Sequence, residues 1–194
     1  MSSSPDFKNY KDVKIASRLD QIILDCRSIT GNTMDLNVME INICGAPCAL
    51  VTIEGMVSTN AMAELIFQPI MGLSIPKDEN PNVGVYQFLT KESLLTAERH
   101  ILYTYGSVMQ DLFSGFALIF IDGIPKGVSL GIQGYEKKSI SEPTSEHNLT
   151  GSQEAFAEVI RTNISLVRRR MKNPALRFEM HQIGELSSTD ICIV

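Results

Sequence analysis

The apolar residues of this chain change repeatedly between helix and strand spacing, and this alternation restricts the fold more than any other feature. Between Asp12 and Cys26 they recur every three or four residues, which is typical of one face of a helix. The next two segments, DLNVMEINI from Asp35 and CALVTIEG from Cys48, have strand patterns and are separated by a Gly45-Ala46-Pro47 turn. Helices and short strands therefore follow one another, which predicts an α/β fold.

The middle of the chain continues this alternation. Ser58, Thr59 and Asn60 all offer cap oxygens for a helix that reaches Phe67, and VGVYQFL, residues 83–89, has the composition of a strand. A long helix is expected from a cap at Ser93 to Leu112, because its apolar residues form one broad face. Two further strands are predicted in FALIFIDG and VSLGIQGY.

Composition and charge exclude several classes of function. The net charge of −5 argues against general nucleic-acid binding, which needs clustered cations. The longest apolar run, Phe116 to Ile121, is far shorter than the roughly 20 residues of a membrane-spanning helix, so we expect this chain to cross no bilayer. The 4 cysteines and 3 histidines lack metal-site spacing, and we expect no metal and no cofactor. Without a nucleophile–base pair or a phosphate loop, we expect no catalytic residues and no enzyme activity.

Two internal similarities indicate a repeated plan. ALVTIEGM, residues 49–56, and ALIFIDGI, residues 117–124, share one pattern that ends in an acidic residue and glycine. The order helix, turn, strand, strand occurs at 12–54 and again at 152–194, where the second copy ends within an apolar strand. We therefore expect two small α/β lobes with mixed sheets and flanking helices, separated by a cleft, with the second lobe incomplete. The expected divisions are a disordered tail (1–9), a first subdomain (10–138), an inter-lobe connection (139–151) and a second subdomain (152–194).

Four cations are concentrated at the end of the helix predicted to run from Ser152 to Asn173: Arg168, Arg169, Arg170 and Lys172. Each can stabilise the helix dipole by about 0.3–1 kcal/mol, but one or two would suffice for that role. Successive residues advance by about 100°, so the three arginines cannot share a face, and one is expected to turn inward to a carboxylate. Glu142 or Glu146 is the expected partner. Contact with a partner protein or an anionic membrane, and simple solvation, are the alternatives.

Three motifs in this region carry a family resemblance: ISEPTSE (140–146), G-x-x-E-A-F (151–156) and TNISLVRRRMKNPALR (162–177). Together they resemble the soluble N-terminal domain of the spore germination receptor A-subunit family. Looser matches, among them Asp35, extend the similarity over about residues 10–194. The residues that we assign to a structural latch or partner contact are Glu142, Pro143, Glu146, Asn163, Arg168, Arg169, Arg170 and Lys172. This sequence departs from the family pattern at three positions, which weakens the inference of an identical latch. Lys138-Ser139 stands where the family has an arginine, Ser152 stands in place of proline, and Gln153 stands in place of arginine.

The resemblance implies a two-lobed α/β fold that is similar in outline to the substrate-binding proteins of transporters. It further implies assembly with B and C subunits, and a place on the cytoplasmic side of the spore inner membrane, where a following domain absent from this chain is embedded. Two functions are compatible with these expectations. One is a signalling and assembly module whose lobes shift on activation. The other is a domain that binds an amino acid or sugar germinant in the cleft, near Glu54-Gly55, Asp122-Gly123 or the arginine cluster.

Overall fold

The computed structural model describes residues 9–76, 78–92, 98–134 and 156–194. Five strands form one sheet in the order β1-β2-β4-β5-β3, with bounds β1 Leu36–Ile43, β2 Ala46–Ile53, β3 Arg99–Leu102, β4 Ala117–Ile121 and β5 Gly127–Leu130. Two later strands, β6 Glu179–Ile183 and β7 Thr189–Ile193, form a separate hairpin. The predicted α/β class is confirmed, but both sheets are antiparallel at every pairing of their strands, and the expectation of mixed sheets is wrong.

Helices cover both faces of the five-stranded sheet. Their bounds are α1 Leu19–Ile29, α2 Thr59–Met62, α3 Gln68–Met71, α4 Pro81–Gln87, α5 Tyr105–Leu112 and α6 Ile160–Arg170, with wider π-helical turns at Ala63–Phe67 and Phe88–Glu92. Along β2 the buried side chains alternate: Val51 and Ile53 belong to the core beneath α1 and α5, whereas Cys48 and Leu50 belong to the core beneath α4. This follows from the period of two in a strand, which sends successive side chains to opposite faces.

Two predicted elements are of a different type in the structure, and helix α1 begins at Leu19 rather than near Asp12. The segment VGVYQFL is not a strand but α4 and the turn after it, because Asn80 caps the helix by accepting from the Asn82 amide and Pro81 occupies its first turn. The long helix expected from Ser93 is wrong over 99–102, where the chain forms β3. A capping box between Thr104 and Ser107 begins α5 only after that strand.

Residues 156–194 form a helix–hairpin unit, which consists of α6 and the β6–β7 hairpin, and residues 9–134 form the sheet domain. Helix α6 begins later than expected, since Phe156 and Ala157 are not helical. The Asn163 side chain accepts from the Ala157 amide at 2.7 Å and donates to the Ala157 carbonyl at 2.8 Å, which holds that residue in its non-helical conformation. The tail 1–8 and the connection 139–151 lie outside the described residues, and the division into two lobes remains a prediction.

Candidate docking site

Helix α6 faces the sheet domain with polar side chains. Arg161, Ser165 and Arg168 are spaced by four and three residues, which places them on one side of the helix. The apolar side chains of this segment are divided, since Ile164 and Leu166 are buried, whereas Phe156 is 72 % exposed, Val159 59 % and Met171 53 %. The helix therefore packs through a mixed face, in which polar contacts with the sheet domain stand beside two buried apolar side chains.

Arg168 is the centre of the contact. Its side chain is 0 % exposed and that of its partner Asp35 is 1 % exposed. The guanidinium donates from Nε to Asp35 Oδ2 at 2.7 Å and from Nη2 to Asp35 Oδ1 at 3.0 Å, which is the two-pronged geometry that arginine forms with a carboxylate. The remaining donors are used as well: Nη1 binds the Asn173 carbonyl at 3.1 Å and Nη2 the Leu176 carbonyl at 3.0 Å. The buried cation is thus neutralised and hydrogen-bonded, which its removal from water requires.

Two aromatic rings and a threonine complete the surroundings of Arg168. The guanidinium carbon lies 4.9 Å from the Phe113 ring centre and 4.6 Å from the Phe178 ring centre, a cation–π arrangement with one ring from each unit. Thr33 donates its hydroxyl to Asp35 Oδ1 at 2.6 Å and accepts from the Phe178 amide at 3.0 Å. These contacts connect the loop after α1, the end of α5 and the start of β6 at a single side chain.

A second contact lies at the solvent-facing rim. Arg161 Nη1 donates to both carboxylate oxygens of Glu54, at 2.8 and 2.6 Å, with side chains that are 56 % and 44 % exposed. Arg169 Nη2 donates to the Gly55 carbonyl at 3.4 Å. Gly55 has φ +73°, and a Cβ added there would lie 2.5 Å from Ser165 Cβ, so glycine permits both this turn and the close approach of α6. An opening of about 270 Å³ remains beside this turn.

The structure brings together some of the predicted site residues and separates others. Glu54, Gly55, Arg168 and Arg169 belong to the docking site, whereas Arg170 and Lys172 lie exposed near the end of α6. Asp122 and Gly123 follow β4, which runs antiparallel to β2, so the two acid-glycine turns lie at opposite ends of the sheet. Because of this antiparallel pairing the two turns do not line one cleft, and each stays a separate predicted position.

The carboxylate that holds Arg168 is one that sequence reasoning did not assign to it. Glu142 and Glu146, the expected partners, lie outside the described residues, as does Pro143. Asp35 is separated from Arg168 by 133 positions, and Thr33 and Phe113 were not predicted as site residues either. The available signal was the looser family match at Asp35, directly after the break that ends α1.

A cluster of Ser129, His100 and Asp111 contains the residue types of a catalytic triad without its geometry. The Ser129 hydroxyl donates to Asp111 Oδ2, and His100 Nδ1 lies 2.9 Å from that same oxygen. In a triad the imidazole stands between the hydroxyl and the carboxylate, whereas here both groups bind the carboxylate. Ser129 is also 0 % exposed. The cluster anchors β5 and β3 to α5.

Several buried groups have perturbed acidities. Burial is the main cause that raises the pKa of Tyr105 well above its ordinary value. The second cause is the hydrogen bond that the Tyr105 hydroxyl donates to Asp25 at 2.6 Å. Burial raises the pKa of the Cys26 and Cys48 thiols to about 12. These thiols are therefore protonated at neutral pH and act as small apolar core residues.

The family model described as "Bacillus/Clostridium GerA spore germination protein" matches residues 25–194. The chain belongs to the GerA family. This confirms the resemblance stated from the motifs. GerA-family relatives include Spore germination protein KA of Bacillus subtilis (strain 168), 29 % identical over 188 residues, which are 95 % of this chain and 34 % of that protein. Spore germination protein GerLA of Bacillus cereus is 23 % identical over 186 residues, 95 % of this chain and 37 % of that protein.

A crystal structure shows the same fold in a GerA-family domain. It is the N-terminal domain of the A subunit of the Bacillus megaterium spore germinant receptor GerK3. The two structures superpose with a TM-score of 0.70 and 23 % sequence identity, and the match covers 92 % of this chain and 64 % of that chain. This GerA-family chain spans about a third of the length of the curated relatives it matches. Among its described residues, no helix combines the length and apolar character that crossing a membrane requires.

Proposed function

We propose that this GerA-family chain is the N-terminal domain of a germinant receptor A subunit and serves spore germination as a non-catalytic signalling and assembly module. The observation that carries the proposal is the docking of α6, the helix that bears the family motif, onto the sheet domain through buried and rim ion pairs. A contact of this kind fixes the position of one structural unit against another. In the proposed function, the two units shift relative to each other when the receptor is activated.

The non-catalytic character is supported by the polar clusters. The side chains of Arg168 and Asp35 are 0 % and 1 % exposed, and Ser129 donates to Asp111 rather than to His100. Buried charged groups that are fully paired hold structure, whereas a general base needs a free position within reach of substrate.

The proposed partners are the B and C subunits of the receptor, and the proposed location is the cytoplasmic side of the spore inner membrane, next to a membrane domain that follows this one. The exposed basic end of α6, with Arg170 and Lys172, supplies the contact surface in this proposal. Because these cations are exposed, the contact should weaken as the salt concentration rises.

Co-purification of the subunits from spores that carry the full-length protein tests the assembly role. The double substitution Arg170→Glu and Lys172→Glu should reduce recovery of the B and C subunits and remove the salt dependence of what remains. Arg27→Glu is the matched control, because Arg27 is an exposed arginine in the last turn of α1. Equal recovery of both subunits with all three proteins would refute the proposal.

A second candidate function is the binding of a small germinant in the opening beside Gly55. It is favoured by the rim of this opening, where Glu54 and Arg161 provide opposite charges next to a space of about 270 Å³. Such a rim suits a molecule that carries both an ammonium group and a carboxylate. Calorimetric titration with a panel of amino acids and sugars distinguishes the two functions. Reproducible heat from one ligand that disappears in Glu54→Gln supports binding, whereas absence of heat across the panel supports the assembly module alone.

A further inference from the structure

The helix–hairpin unit lies outside both apolar cores of the molecule. Within the described residues, the two core clusters draw all their members from positions 10–132. Five side chains of the unit are buried against the sheet domain or within the unit: Ile164, Ser165, Leu166, Arg168 and Phe178. Two of these five are polar, and one carries a full charge. The two cores of the sheet domain therefore include no side chain of the helix–hairpin unit.

Besides the buried apolar side chains Ile164, Leu166 and Phe178, the unit is held by contacts of a kind that water can replace. Arg168 with Asp35, Arg161 with Glu54, and Arg169 with the Gly55 carbonyl are all polar interactions across the boundary. If the unit leaves its position, each charge gains hydration, which offsets much of the lost interaction. An apolar boundary of the same size has no such compensation, because its surface is unfavourable in water.

We infer that the Arg168–Asp35 pair is a lock that holds the helix–hairpin unit on the sheet domain. When this ion pair breaks, the unit comes free while the sheet domain stays folded. Arg168 binds residues of both units at once: Asp35 on the sheet domain, and the carbonyls of Asn173 and Leu176 on the unit. The boundary also contains one direct backbone link, from the Met34 amide to the Phe178 carbonyl at 3.1 Å. Loss of the Arg168 fork removes the group that connects these segments.

Hydrogen exchange measured by mass spectrometry on the 194-residue chain tests the lock. Arg168→Lys keeps the charge but cannot form the fork or reach all four acceptors. In this variant, amides of α6 and β6 should exchange roughly 10- to 100-fold faster, as expected for one unsatisfied buried partner. Amides of β2 and β4 should exchange as in the parent chain, since they lie within the sheet domain. Asp35→Asn should give the same pattern from the other side of the boundary.

Arg161→Gln is the matched control, since it breaks an exposed pair on the same face of the same helix. It should change exchange in α6 by less than about fivefold. Two results would refute the lock. One is an unchanged exchange rate in both Arg168→Lys and Asp35→Asn. The other is an equal increase in the exchange rates of β2 and β4, which would show that the ion pair stabilises the whole molecule.

The role of the lock in signalling rests on the proposed function, whereas the exchange experiment does not. If exchange shows the expected pattern but the B and C subunits are recovered equally with every charge variant, the lock stands and the assembly role fails. If recovery depends on Arg170 and Lys172 while exchange is unchanged, the assembly role stands and the lock fails.

Discussion

Replacement of Gly55 by alanine tests the geometry of the docking site. Gly55 has φ +73°, so any other residue there adopts a left-handed conformation that costs about 1–2 kcal/mol. The new Cβ would also lie 2.5 Å from Ser165 Cβ, which no real pair of such atoms tolerates. Forcing α6 outward adds about 1–3 kcal/mol of overpacking. We therefore expect Gly55→Ala to lower the free energy of unfolding by roughly 2–5 kcal/mol.

Gly123 offers a control with the same backbone strain and no collision. It follows the equivalent acidic residue in the second acid-glycine turn, has φ +77°, and a Cβ added there would come no closer than 3.8 Å to Asn82 Nδ2. Gly123→Ala should thus cost only the conformational part, about 1–2 kcal/mol. Effects on the unfolded chain are the same for both substitutions and cancel in the comparison.

Urea denaturation of both variants gives the two free energies. The collision is isolated by adding Ser165→Gly, which removes the Cβ that meets the new methyl group. Measured in the Ser165→Gly background, Gly55→Ala should cost no more than Gly123→Ala does in the parent chain. Equal losses for the two glycine variants in the parent chain would show that α6 does not approach the Gly55 turn closely, and would refute the docking geometry.

Two further predictions concern titratable core groups. With a thiol reagent at pH 8, the exposed Cys44 should react within the mixing time. Cys26 and Cys48, whose pKa values are about 12, should react only when the protein opens. Rapid labelling of either buried thiol in the folded chain would contradict their burial. The pKa of Tyr105 is raised in the folded state, so the contribution of Tyr105 to stability is fully present below the ordinary tyrosine pKa of about 10. Above that pH the free energy of unfolding should fall by up to about 1.4 kcal/mol per pH unit. Tyr105→Phe should flatten this alkaline decline in denaturation midpoints, and an identical slope in the variant would show that Tyr105 does not cause it.

Local signals in the sequence were sufficient for most elements of the fold. The structure has the helix predicted before Cys26 and the two strands that became β1 and β2, all from neighbours a few residues apart. Helix α1 begins at Leu19 rather than near Asp12, and Ser58 is the one of three cap candidates that is used. The error at β3 arose because an apolar run beside a polar loop has no distinct period in so short a strand. The capping box at Thr104 that separates β3 from α5 uses Ser107 at its third position instead of Glu or Gln, so its sequence signal is weak.

The docking site could not be predicted in the same way. Asp35 and Arg168 are 133 positions apart, and no spacing rule connects residues at that distance. The two acid-glycine turns are alike in sequence, yet the antiparallel pairing of β2 with β4 sends them to opposite ends of the sheet. Resemblance in sequence identified the segment that contains Arg168, but only the paired strands and the loop after α1 determine which carboxylate it meets.

A buried arginine defines the register of α6 more strictly than apolar packing would. Apolar side chains of similar volume can exchange places at modest cost, about 1.5 kcal/mol or less. A shift of α6 by one residue turns the helix by about 100° and leaves Arg168 and Asp35 each without its opposite charge inside the protein, at a cost of several kcal/mol. On the sheet-domain side, the Asp35 carboxylate and the Phe113 ring at 4.9 Å contact the guanidinium together. The pair therefore gives the helix–hairpin unit one docked position, and any displaced position is one in which both charges have reached water.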